Sequence, residues 1–337
     1  MKNILVDMPL LPSELEALHA IPGVRVQTVE PEERVRSLPS NLVRDAQVLF
    51  CTFPPSNLAE MEKLELVQVS TAGYDSLFGL KLAERGIRVA NSLGVFDAPI
   101  AEWNLAMMVN LARDVRGMIR NQEAARWERL PVHQSELRGS VVGTWGYGGI
   151  GRETARLSKA LGMTVHVLAR HGVRPRRQTY CVPGTGDSEG VLPDHVFLEG
   201  QESDFLSSLD FLVLAMPLTG RTRGIVGERE LQALPRRAFL LNPARGPLVQ
   251  EQALLKALRQ GWIAGAALDT HYQYPLPPEH PLWSLPNVIL TPHISGASHS
   301  RRFLGRVWEI FVENVRRFIS GQPLWNELSA EQLLDRT

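Results

Sequence analysis

The fold is decided by one stretch of the chain, Gly143–Arg170, which reads GTWGYGGIGRETARLSKALGMTVHVLAR. A short apolar run leads into Gly146, Gly148 and Gly151, and a helix-like pattern and a second apolar run follow. Three glycines alone would also fit an ordinary loop, but here both flanking strands and the helix are predicted as well. The order of strand, glycine turn, helix and strand therefore predicts half of a dinucleotide-binding fold.

Each glycine of this turn has a separate role in such a fold. Gly146 permits the tight turn, Gly148 lets the backbone approach a pyrophosphate, and Gly151 lets helix and strand pack closely. The helix N-terminus offers free N–H groups and the positive end of its dipole to the phosphates. The predicted cofactor-binding turn consists of Gly146, Tyr147, Gly148, Gly149, Ile150 and Gly151.

The end of the second strand indicates which dinucleotide is bound. A carboxylate there would bind the adenosine ribose 2′-hydroxyl and favour NAD. The strand runs instead into Arg170 and His171, and Arg174, Arg176 and Arg177 follow. Guanidinium groups suit a 2′-phosphate because they bind it through paired hydrogen bonds. We predict that NADP(H) is favoured over NAD(H), with Arg170 and His171 in the site; a solvated basic loop is the alternative.

Composition limits the classes of protein and partner. A chain of 337 residues is too long for one hydrophobic core, so we expect two domains. The formal net charge is zero and the sequence pI is near 7.2, so neither a nucleic-acid nor a membrane partner is expected. Cys51 and Cys181 lack metal-ligand spacing, which predicts no metal, no disulfide and a cytoplasmic location. We expect neither a signal peptide nor a membrane span.

Alternating strand and helix patterns begin at the N-terminus. Ser13 and Glu16 have the spacing of a capping box, so we expect a helix over Ser13–His19. Pro99 is expected to open a long amphipathic helix that runs to Arg120. The predicted strands of this first α/β unit are Asn3–Val6, Val24–Thr28, Gln47–Cys51, Glu65–Ser70 and Ile87–Ala90.

The second unit has continuous apolar runs, as in parallel strands that are buried on both faces. These strands are predicted at Ser140–Trp145, Met163–Leu168, Phe211–Ala215, Ala238–Leu241, Ala264–Leu268 and Val288–Leu290. A helix near 301–318 is expected to return to the first domain. The sequence thus predicts an α/β fold of two Rossmann-like domains with doubly wound parallel sheets. The dinucleotide-binding domain, 99–292, is inserted in a flavodoxin-like substrate domain, 1–98 plus 293–337, and the cleft between them is the expected active site.

Other motifs also follow predicted strands, where an open parallel sheet places its ligands. In STAGYDSL, backbone N–H groups beside Gly73 can bind an anion, although a plain turn is the simpler interpretation. Arg245, after a strand that ends at Asn242, can present a bidentate fork to a carboxylate, although most arginines lie on the surface. Asp269 and His293 end two further strands, and a histidine there is a candidate acid or base, although a lone histidine is more often structural.

Taken in order, these motifs resemble the D-isomer-specific 2-hydroxyacid dehydrogenase family over nearly the whole chain. The matching positions, besides the glycine turn, are Gly73, Asp75, Asn91, Gly94, Ala101, Glu102, Pro217, Leu218, Thr219, Asn242, Arg245, Gly246, Asp269, Thr291, Pro292 and His293. The resemblance implies hydride transfer between C4 of a nicotinamide and C2 of a 2-hydroxy or 2-keto acid.

The resemblance also implies a role for each matching residue. Arg245 would bind the substrate carboxylate and polarise the keto oxygen, and His293 would give that oxygen a proton. Backbone amides of Ala72 and Gly73 would bind the other side of the carboxylate, and Asp269 would approach the nicotinamide carboxamide. The remaining implied cofactor contacts are Pro217, Thr219, Asn242, Pro243, Ala244, His293 and Gly296. A homodimer through the dinucleotide domain is implied as well.

The sequence departs from the family pattern at one catalytic position. The family usually places a glutamate five residues after the aspartate, where its carboxylate hydrogen-bonds the catalytic histidine and raises the histidine pKa. In this chain the position is Tyr274, which Gln273 precedes. We therefore predict that His293 is a weaker acid here, or that the Tyr274 hydroxyl orients it.

A second departure is the length of the segment 171–208, which exceeds the usual connection between the second and third strands of the dinucleotide domain. Glycine, proline and acidic residues dominate its middle, a composition that predicts an exposed loop. The segment could fold over the adenine side of the cofactor, join a partner surface, or be a tolerated surface insertion.

Two classes of function are left open by the sequence. Arg245 and His293 favour an enzyme, namely an NADPH-dependent reductase of a small 2-keto acid such as glyoxylate or hydroxypyruvate. An alternative within enzymes is hydride transfer of the formate- or phosphite-dehydrogenase kind, since related formate dehydrogenases also lack the glutamate. Tyr274 keeps open the second class, a non-catalytic dinucleotide-binding regulator of the same fold.

Overall fold

The computed structural model describes residues 1–32, 34–129, 134–177, 179–298 and 300–334. The chain forms two compact units. The terminal unit comprises Met1–Phe96, Gln178–Tyr180 and Ser298–Thr337, and the central unit comprises Asp97–Arg177 and Cys181–Ala297. The central unit is therefore inserted in the sequence of the terminal unit.

The terminal unit is built on a five-stranded parallel sheet. Its first elements are β1 (Lys2–Asp7), α1 (Pro12–His19), β2 (Val24–Thr28), α2 (Ser40–Val43), β3 (Val48–Cys51), β4 (Leu66–Val69) and β5 (Arg88–Ala90). The strand order β2-β1-β3-β4-β5 is that of flavodoxin-like sheets. Strands β3 and β4 are buried along their whole length, which explains their continuous apolar sequences.

The central unit is built on a seven-stranded parallel sheet. Its elements are α3 (Asp97–Ala112), α4 (Val115–Glu123), β6 (Val141–Trp145), α5 (Gly149–Ala160), β7 (Thr164–Leu168), β8 (His195–Phe197), α6 (Glu202–Ser207), β9 (Phe211–Leu214), α7 (Glu228–Ala233), β10 (Phe239–Asn242), α8 (Glu251–Gln260), β11 (Gly265–Leu268) and β12 (Val288–Leu290). The chain then returns to the terminal unit with α9 (Arg301–Ile319) and α10 (Ala330–Leu333).

The strand order of the central sheet, β12-β11-β10-β9-β6-β7-β8, places the first strand of the unit, β6, in the interior of the sheet. Chain progression reverses between β6 and β9, and ligands of doubly wound sheets bind at the carboxyl ends of the strands beside such a point. Two apolar cores cover the two faces of this sheet, one beneath α6, α7 and α8 and the other beneath α3 and α5. The predicted fold class is confirmed.

Every predicted strand is present, with ends within one residue of the prediction. The predicted capping box of the first helix is wrong. Helix α1 begins at Pro12, its N-cap is Leu11, and no side chain caps it. Proline fills the first helical turn because its missing N–H has no intrahelical acceptor there in any case.

The single long helix predicted from Pro99 to Arg120 is also wrong. The helix starts two residues earlier, at Asp97, and it breaks at Asp114. Asp114 has φ +47°, and its side chain accepts a hydrogen bond from the Gly117 N–H at 3.2 Å. Aspartate tolerates the left-handed region and caps a new helix, so one apolar pattern becomes two helices.

The segment 171–208 is not simply an exposed loop, as its composition predicted. It contains the edge strand β8 and helix α6, and Tyr180 and Asp187 within it are buried. Among the helices in the described part of the chain, none has the length and apolar character needed to cross a membrane.

Candidate active site

The glycine turn between β6 and α5 has the geometry that a dinucleotide needs. Gly146 has φ +99°, and a Cβ there would lie 2.5 Å from the carbonyl oxygen of Ala215. A Cβ at Gly151 would lie 2.6 Å from the carbonyl oxygen of Gly146, so the helix packs directly on the turn. Around Gly148, the N-cap of α5, no atom lies within 4 Å of the position that a Cβ would take.

These observations fit a nicotinamide dinucleotide. The open space at Gly148 lets a pyrophosphate approach the backbone, and the first N–H groups of α5 point toward it. The turn also lies at the carboxyl end of β6, beside the reversal point of the sheet. Gly149 and Ile150 would hold the phosphates through their backbone N–H groups.

The basic residues that follow β7 have different surroundings. Arg170 and His171 are exposed, and the Arg170 Nε donates a hydrogen bond to the His171 Nε2 at 2.8 Å. Arg176 pairs with the buried Asp97 at 3.3 Å, and Arg177 pairs with Glu189 at 2.9 Å. The predicted phosphate-binding pair Arg170–His171 thus lies together at the surface, whereas two of the other arginines have carboxylate partners.

The turn that follows β10 presents Arg245. Asn242 is buried, its side-chain amide donates to the Arg245 carbonyl oxygen at 2.9 Å, and its Oδ1 accepts from the Ala244 N–H at 3.2 Å. A Cβ at Gly246 would lie 2.5 Å from the His271 carbonyl carbon, so this turn packs tightly on the loop after β11. Asn242 therefore shapes the turn from which the half-buried Arg245 extends.

The loop after β12 holds His293 in an unusual backbone conformation, with φ +57°. Asp269, which is fully buried, accepts hydrogen bonds from the Thr291 hydroxyl (2.5 Å) and from the N–H groups of Ile294 (2.9 Å) and Ser295 (3.0 Å). The His293 N–H donates to the Asp269 carbonyl oxygen at 2.9 Å. These bonds fix the turn, and the exposed His293 side chain extends from it.

Tyr274 lies beside His293, with ring centroids 5.5 Å apart and planes inclined by 48°. The Tyr274 hydroxyl accepts a hydrogen bond from the His271 N–H at 3.2 Å, and the side chain is 57% exposed. At the position that carries glutamate in the family pattern, this chain therefore packs the Tyr274 ring against the His293 ring.

Two further residues predicted to contact the cofactor, Pro217 and Thr219, lie in a turn after β9. The Thr222 hydroxyl donates to the Pro217 carbonyl oxygen at 2.7 Å and accepts from the Thr219 N–H at 2.8 Å. Thr222 thus closes the turn that presents Pro217 and Thr219, and sequence reasoning had not selected it. Pro243 is buried, and Gly296 is half-buried in the loop after His293.

Sequence reasoning also missed His271. It is 6% exposed, and its Nε2 donates to the Thr291 carbonyl oxygen at 2.8 Å. Its Nδ1 is buried and has no hydrogen-bond partner among the described residues. The ring thereby ties the loop after β11 to the loop after β12, and only its position two residues after Asp269 could have indicated this.

A buried cluster around Tyr147 is a further feature that the sequence did not reveal. The Tyr147 hydroxyl donates to the Asp187 Oδ2 at 2.7 Å, and burial raises the pKa of Tyr147, which keeps the donor protonated. Arg152 lies 4.9 Å from the Tyr147 ring centroid and donates to the carbonyl oxygens of Tyr147, Arg174 and Asp187. The tyrosine of the glycine turn is thus bound to the long segment after β7.

In the terminal unit, the loop after β4 contains Ala72 and Gly73. The Thr71 hydroxyl donates to the Gly73 carbonyl oxygen at 2.8 Å, and the Asn91 side chain donates to the Ala72 carbonyl oxygen at 2.7 Å. The Ser92 N–H donates to the Thr71 carbonyl oxygen at 2.9 Å. Three carbonyl oxygens of the loop thus accept hydrogen bonds, one from within the loop and two from the segment after β5.

The described residues contain no group of three or more His, Cys, Asp or Glu side chains arranged to hold a metal ion. Cys51 is buried and Cys181 is exposed, and both are free thiols.

Comparison with known proteins assigns the class of this chain. Residues 105–295 match the model of the D-isomer specific 2-hydroxyacid dehydrogenase NAD-binding domain. The chain is 35% identical over 265 residues to a glyoxylate reductase of Korarchaeum cryptofilum, covering 77% of this chain and 74% of that protein. It is 31% identical over 340 residues to a glyoxylate reductase of Aeropyrum pernix, covering 98% and 96%.

Solved structures of proteins of the same class are similar to this chain. A D-isomer specific 2-hydroxyacid dehydrogenase of Xanthobacter autotrophicus in complex with NADPH and MES is 28% identical, with a TM-score of 0.76 and coverage of 97% of this chain and 99% of that chain. An NADPH-dependent glyoxylate/hydroxypyruvate reductase of Sinorhizobium meliloti in complex with NADP and sulfate is 25% identical, with a TM-score of 0.75 and coverage of 98% and 99%.

This chain belongs to the D-isomer specific 2-hydroxyacid dehydrogenase family. It is an NAD(P)-dependent oxidoreductase that interconverts 2-hydroxy and 2-keto acids. The predicted family and class of activity are confirmed, and the formate-like and non-catalytic alternatives are not favoured.

Proposed function

We propose that this chain catalyses the NADPH-dependent reduction of a small 2-keto acid such as glyoxylate or hydroxypyruvate. The observation that carries the proposal is the His293 turn, in which the buried Asp269 holds a histidine at a positive φ, in the same unit as the glycine turn. Relatives named glyoxylate reductase support the substrate class.

The bound reduced nicotinamide supplies the hydride. Negative charge then develops on the keto oxygen, and groups aimed at that oxygen stabilise the transition state more than the ground state. Arg245 provides a fixed positive charge and a bidentate fork for the substrate carboxylate. Backbone N–H groups of Ala72 and Gly73 also bind that carboxylate, and His293 donates a proton to the keto oxygen, which becomes the hydroxyl of the product.

Tyr274 acts on His293 without a charge. In the family pattern a carboxylate at this position favours the imidazolium, whereas the Tyr274 ring packs against the His293 ring at 5.5 Å. The aromatic contact orients the imidazole. We therefore propose that position 274 acts on His293 through ring packing, where the family pattern places a carboxylate.

The cofactor preference is proposed to be for NADP(H). No acid follows β7, and the exposed pair Arg170–His171 lies where the adenosine ribose of a Rossmann-bound dinucleotide is recognised. Asn242 and Asp269 contribute by shaping the turns of Arg245 and His293, while Pro217, Thr219, Ala244 and Gly296 contact the cofactor through their backbone. The complexes of relatives with NADPH or NADP support this preference.

We also propose a cytoplasmic homodimer through helix α3. Val109 on this helix is 41% exposed, and Leu105, one turn earlier on the same face, is only half-buried. An exposed apolar face of this kind suits a second copy of the same helix. The free thiols Cys51 and Cys181 support a reducing compartment.

The proposed reaction is tested by following the absorbance of reduced nicotinamide with purified protein and a panel of acids. Glyoxylate and hydroxypyruvate should be reduced with NADPH, and formate and phosphite should not reduce NADP. A protein that binds NADPH but oxidises it with none of the 2-keto acids would contradict the proposal.

A further inference from the structure

Two residues from the middle of the chain, Thr179 and Tyr180, pack into the terminal unit. The ranges on both sides of them, Asp97–Arg177 and Cys181–Ala297, belong to the central unit. This detour lies within the segment 171–208, whose length sets the sequence apart from the family pattern. The segment therefore places one side chain, Tyr180, among residues that are far away in sequence.

Tyr180 is buried and hydrogen-bonded within the terminal unit. It is 5% exposed, its hydroxyl donates to the Glu309 Oε2 on α9 at 2.8 Å, and its N–H donates to the Asn326 Oδ1 at 3.3 Å. A Cβ at Gly94 would lie 2.3 Å from the Tyr180 carbonyl oxygen. Gly94 has φ +101°, so a side chain there is excluded both by the backbone conformation and by the close approach of Tyr180.

Asn326 continues the contact toward the loop after β4. It has φ +55°, and its side-chain amide donates to the carbonyl oxygens of Asn91 (3.2 Å) and Leu93 (2.8 Å). The Asn91 side chain in turn donates to the Ala72 carbonyl oxygen at 2.7 Å. Asn326 is 6% exposed and Asn91 2% exposed, so an unbroken buried series of hydrogen bonds leads from Tyr180 to Ala72.

The same segment is fixed in the central unit only a few residues later. Asp187 accepts the Tyr147 hydroxyl at 2.7 Å and the N–H groups of Gly190, Val191 and Leu192 at 3.0 Å each. The Gly186 N–H donates to the Glu153 Oε2 at 2.5 Å. A short stretch of chain therefore separates the anchor on the glycine turn from the anchor at Tyr180.

We propose that Tyr180 is a positioning residue for substrate binding, which holds the Ala72–Gly73 loop through Asn326 and Asn91. This inference rests on the proposed function, because it takes that loop to bind the substrate carboxylate. Two backbone N–H groups bind an anion well only when their directions are fixed before the anion arrives. The first link is the Tyr180 backbone N–H, which the buried ring holds against Asn326, so loss of the ring loosens Asn326, Asn91 and the loop in turn.

The test compares Tyr180→Ala and Asn326→Gly with the wild type. Asn326→Gly keeps the positive φ accessible while removing the amide that links Tyr180 to Asn91. Arg177→Ala is the matched control, since Arg177 lies in the same segment with a 69% exposed side chain and pairs with Glu189. Tyr180→Phe, which keeps the ring and loses the hydroxyl that donates to Glu309, is the conservative variant.

Three measurements distinguish a positioning role of Tyr180 from a general loss of protein stability. Amide hydrogen exchange of the peptide that covers Gln68–Leu77 should be faster in Tyr180→Ala and Asn326→Gly, and unchanged in Arg177→Ala. The KM for glyoxylate should rise about tenfold in the first two variants, because Tyr180→Ala removes the buried ring that holds the Tyr180 N–H against Asn326, and Asn326→Gly removes the linking amide itself. NADPH affinity, measured by fluorescence titration, should stay within about twofold, and Tyr180→Phe should recover most of the lost substrate affinity.

Unchanged hydrogen exchange of the Gln68–Leu77 peptide in folded Tyr180→Ala would overturn the inference. A lower kcat at constant KM would overturn it as well, because that result indicates only a smaller fraction of active enzyme. If Tyr180→Ala does not fold, Asn326→Gly decides the same question. A wild-type protein that reduces no 2-keto acid refutes the proposed function, whereas the exchange measurement then still decides whether Tyr180 holds the loop.

Discussion

His293 lies in the candidate site with its backbone in the left-handed region. Its φ of +57° is uncommon for a residue with a side chain, and strained backbone often marks a functional position. The conformation is maintained by the Asp269 carboxylate, which accepts three hydrogen bonds in the turn. Sequence position predicted both residues at strand ends, but it could not reveal that Asp269 acts on the histidine through the backbone.

The Tyr274→Glu substitution tests the role of the altered catalytic position. A carboxylate beside the His293 ring would favour the imidazolium and raise the His293 pKa. Since the imidazolium is the proton donor in reduction, activity would persist to higher pH before it declines. We expect the basic limb of the kcat/KM profile for glyoxylate to move upward. Tyr274→Phe serves as control, and identical limbs in Tyr274→Glu and wild type would show that position 274 does not tune His293.

The Arg170→Ala substitution tests cofactor selection. A charge-assisted hydrogen bond to a 2′-phosphate contributes about 1–3 kcal/mol, so NADPH affinity should fall by that amount. NADH affinity should change little, because NADH has no phosphate at that position. Nicotinamide fluorescence titrations measure both, with Arg259→Ala, an exposed arginine at the end of α8, as the control. Tighter binding of NADH than NADPH by the wild type would contradict the proposed preference.

At the scale of elements, the strands were predictable because both sheets are parallel and buried. Short continuous apolar runs such as Phe211–Leu214 are typical of parallel strands that are buried on both faces. The break at Asp114 and the edge strand β8 were not predictable. In the sequence, Asp114 cannot be told from an ordinary exposed aspartate, although it caps α4 in the structure. Strand β8 is only three residues long and largely exposed, so it has no apolar run to predict it. The candidate site was predictable as a set of turns, whereas Thr222, His271 and the Tyr147 cluster depend on contacts between distant loops.

The Asp187→Asn substitution tests how the segment after β7 is held to the glycine turn. Burial alone would raise the pKa of the Asp187 carboxyl, but the hydrogen bonds from Tyr147 and from backbone N–H groups have the larger combined effect. The net result is a lowered pKa. Because the folded-state pKa is depressed, the carboxylate stabilises the fold above its unfolded-state pKa, and this contribution is lost as pH falls through the folded-state value. An asparagine side chain at this position cannot accept all the bonds that the carboxylate accepts, so we expect a loss of about 1–3 kcal/mol at neutral pH.

Urea unfolding of the wild type and Asp187→Asn at neutral and acidic pH measures this effect. The difference in unfolding free energy should shrink on acidification, since the variant lacks the titrating group. The exposed Glu189→Gln in the same segment is the control. An equal difference at both pH values would mean that the carboxylate charge is not what anchors the segment.

At the scale of the whole molecule, the proposed homodimer predicts a particle of about twice the chain mass of 37.6 kDa. Val109→Lys places a charge on the exposed apolar face of α3 and should shift the mass toward that of one chain. Leu161→Lys, at a similarly exposed apolar position after α5, should not. Light scattering that gives one chain mass for the wild type at micromolar concentration would refute the dimer.

In the proposed reaction His293 donates the proton and Arg245 binds the carboxylate of a 2-keto acid. Steady-state reduction of glyoxylate by NADPH in wild type and His293→Ala, with NADPH affinity measured in parallel, tests the role of the histidine. We predict that His293→Ala lowers kcat about 100-fold or more while cofactor affinity is kept, and that Arg245→Ala loses substrate affinity as well as rate. A His293→Ala enzyme that retains most of the wild-type turnover would contradict the account.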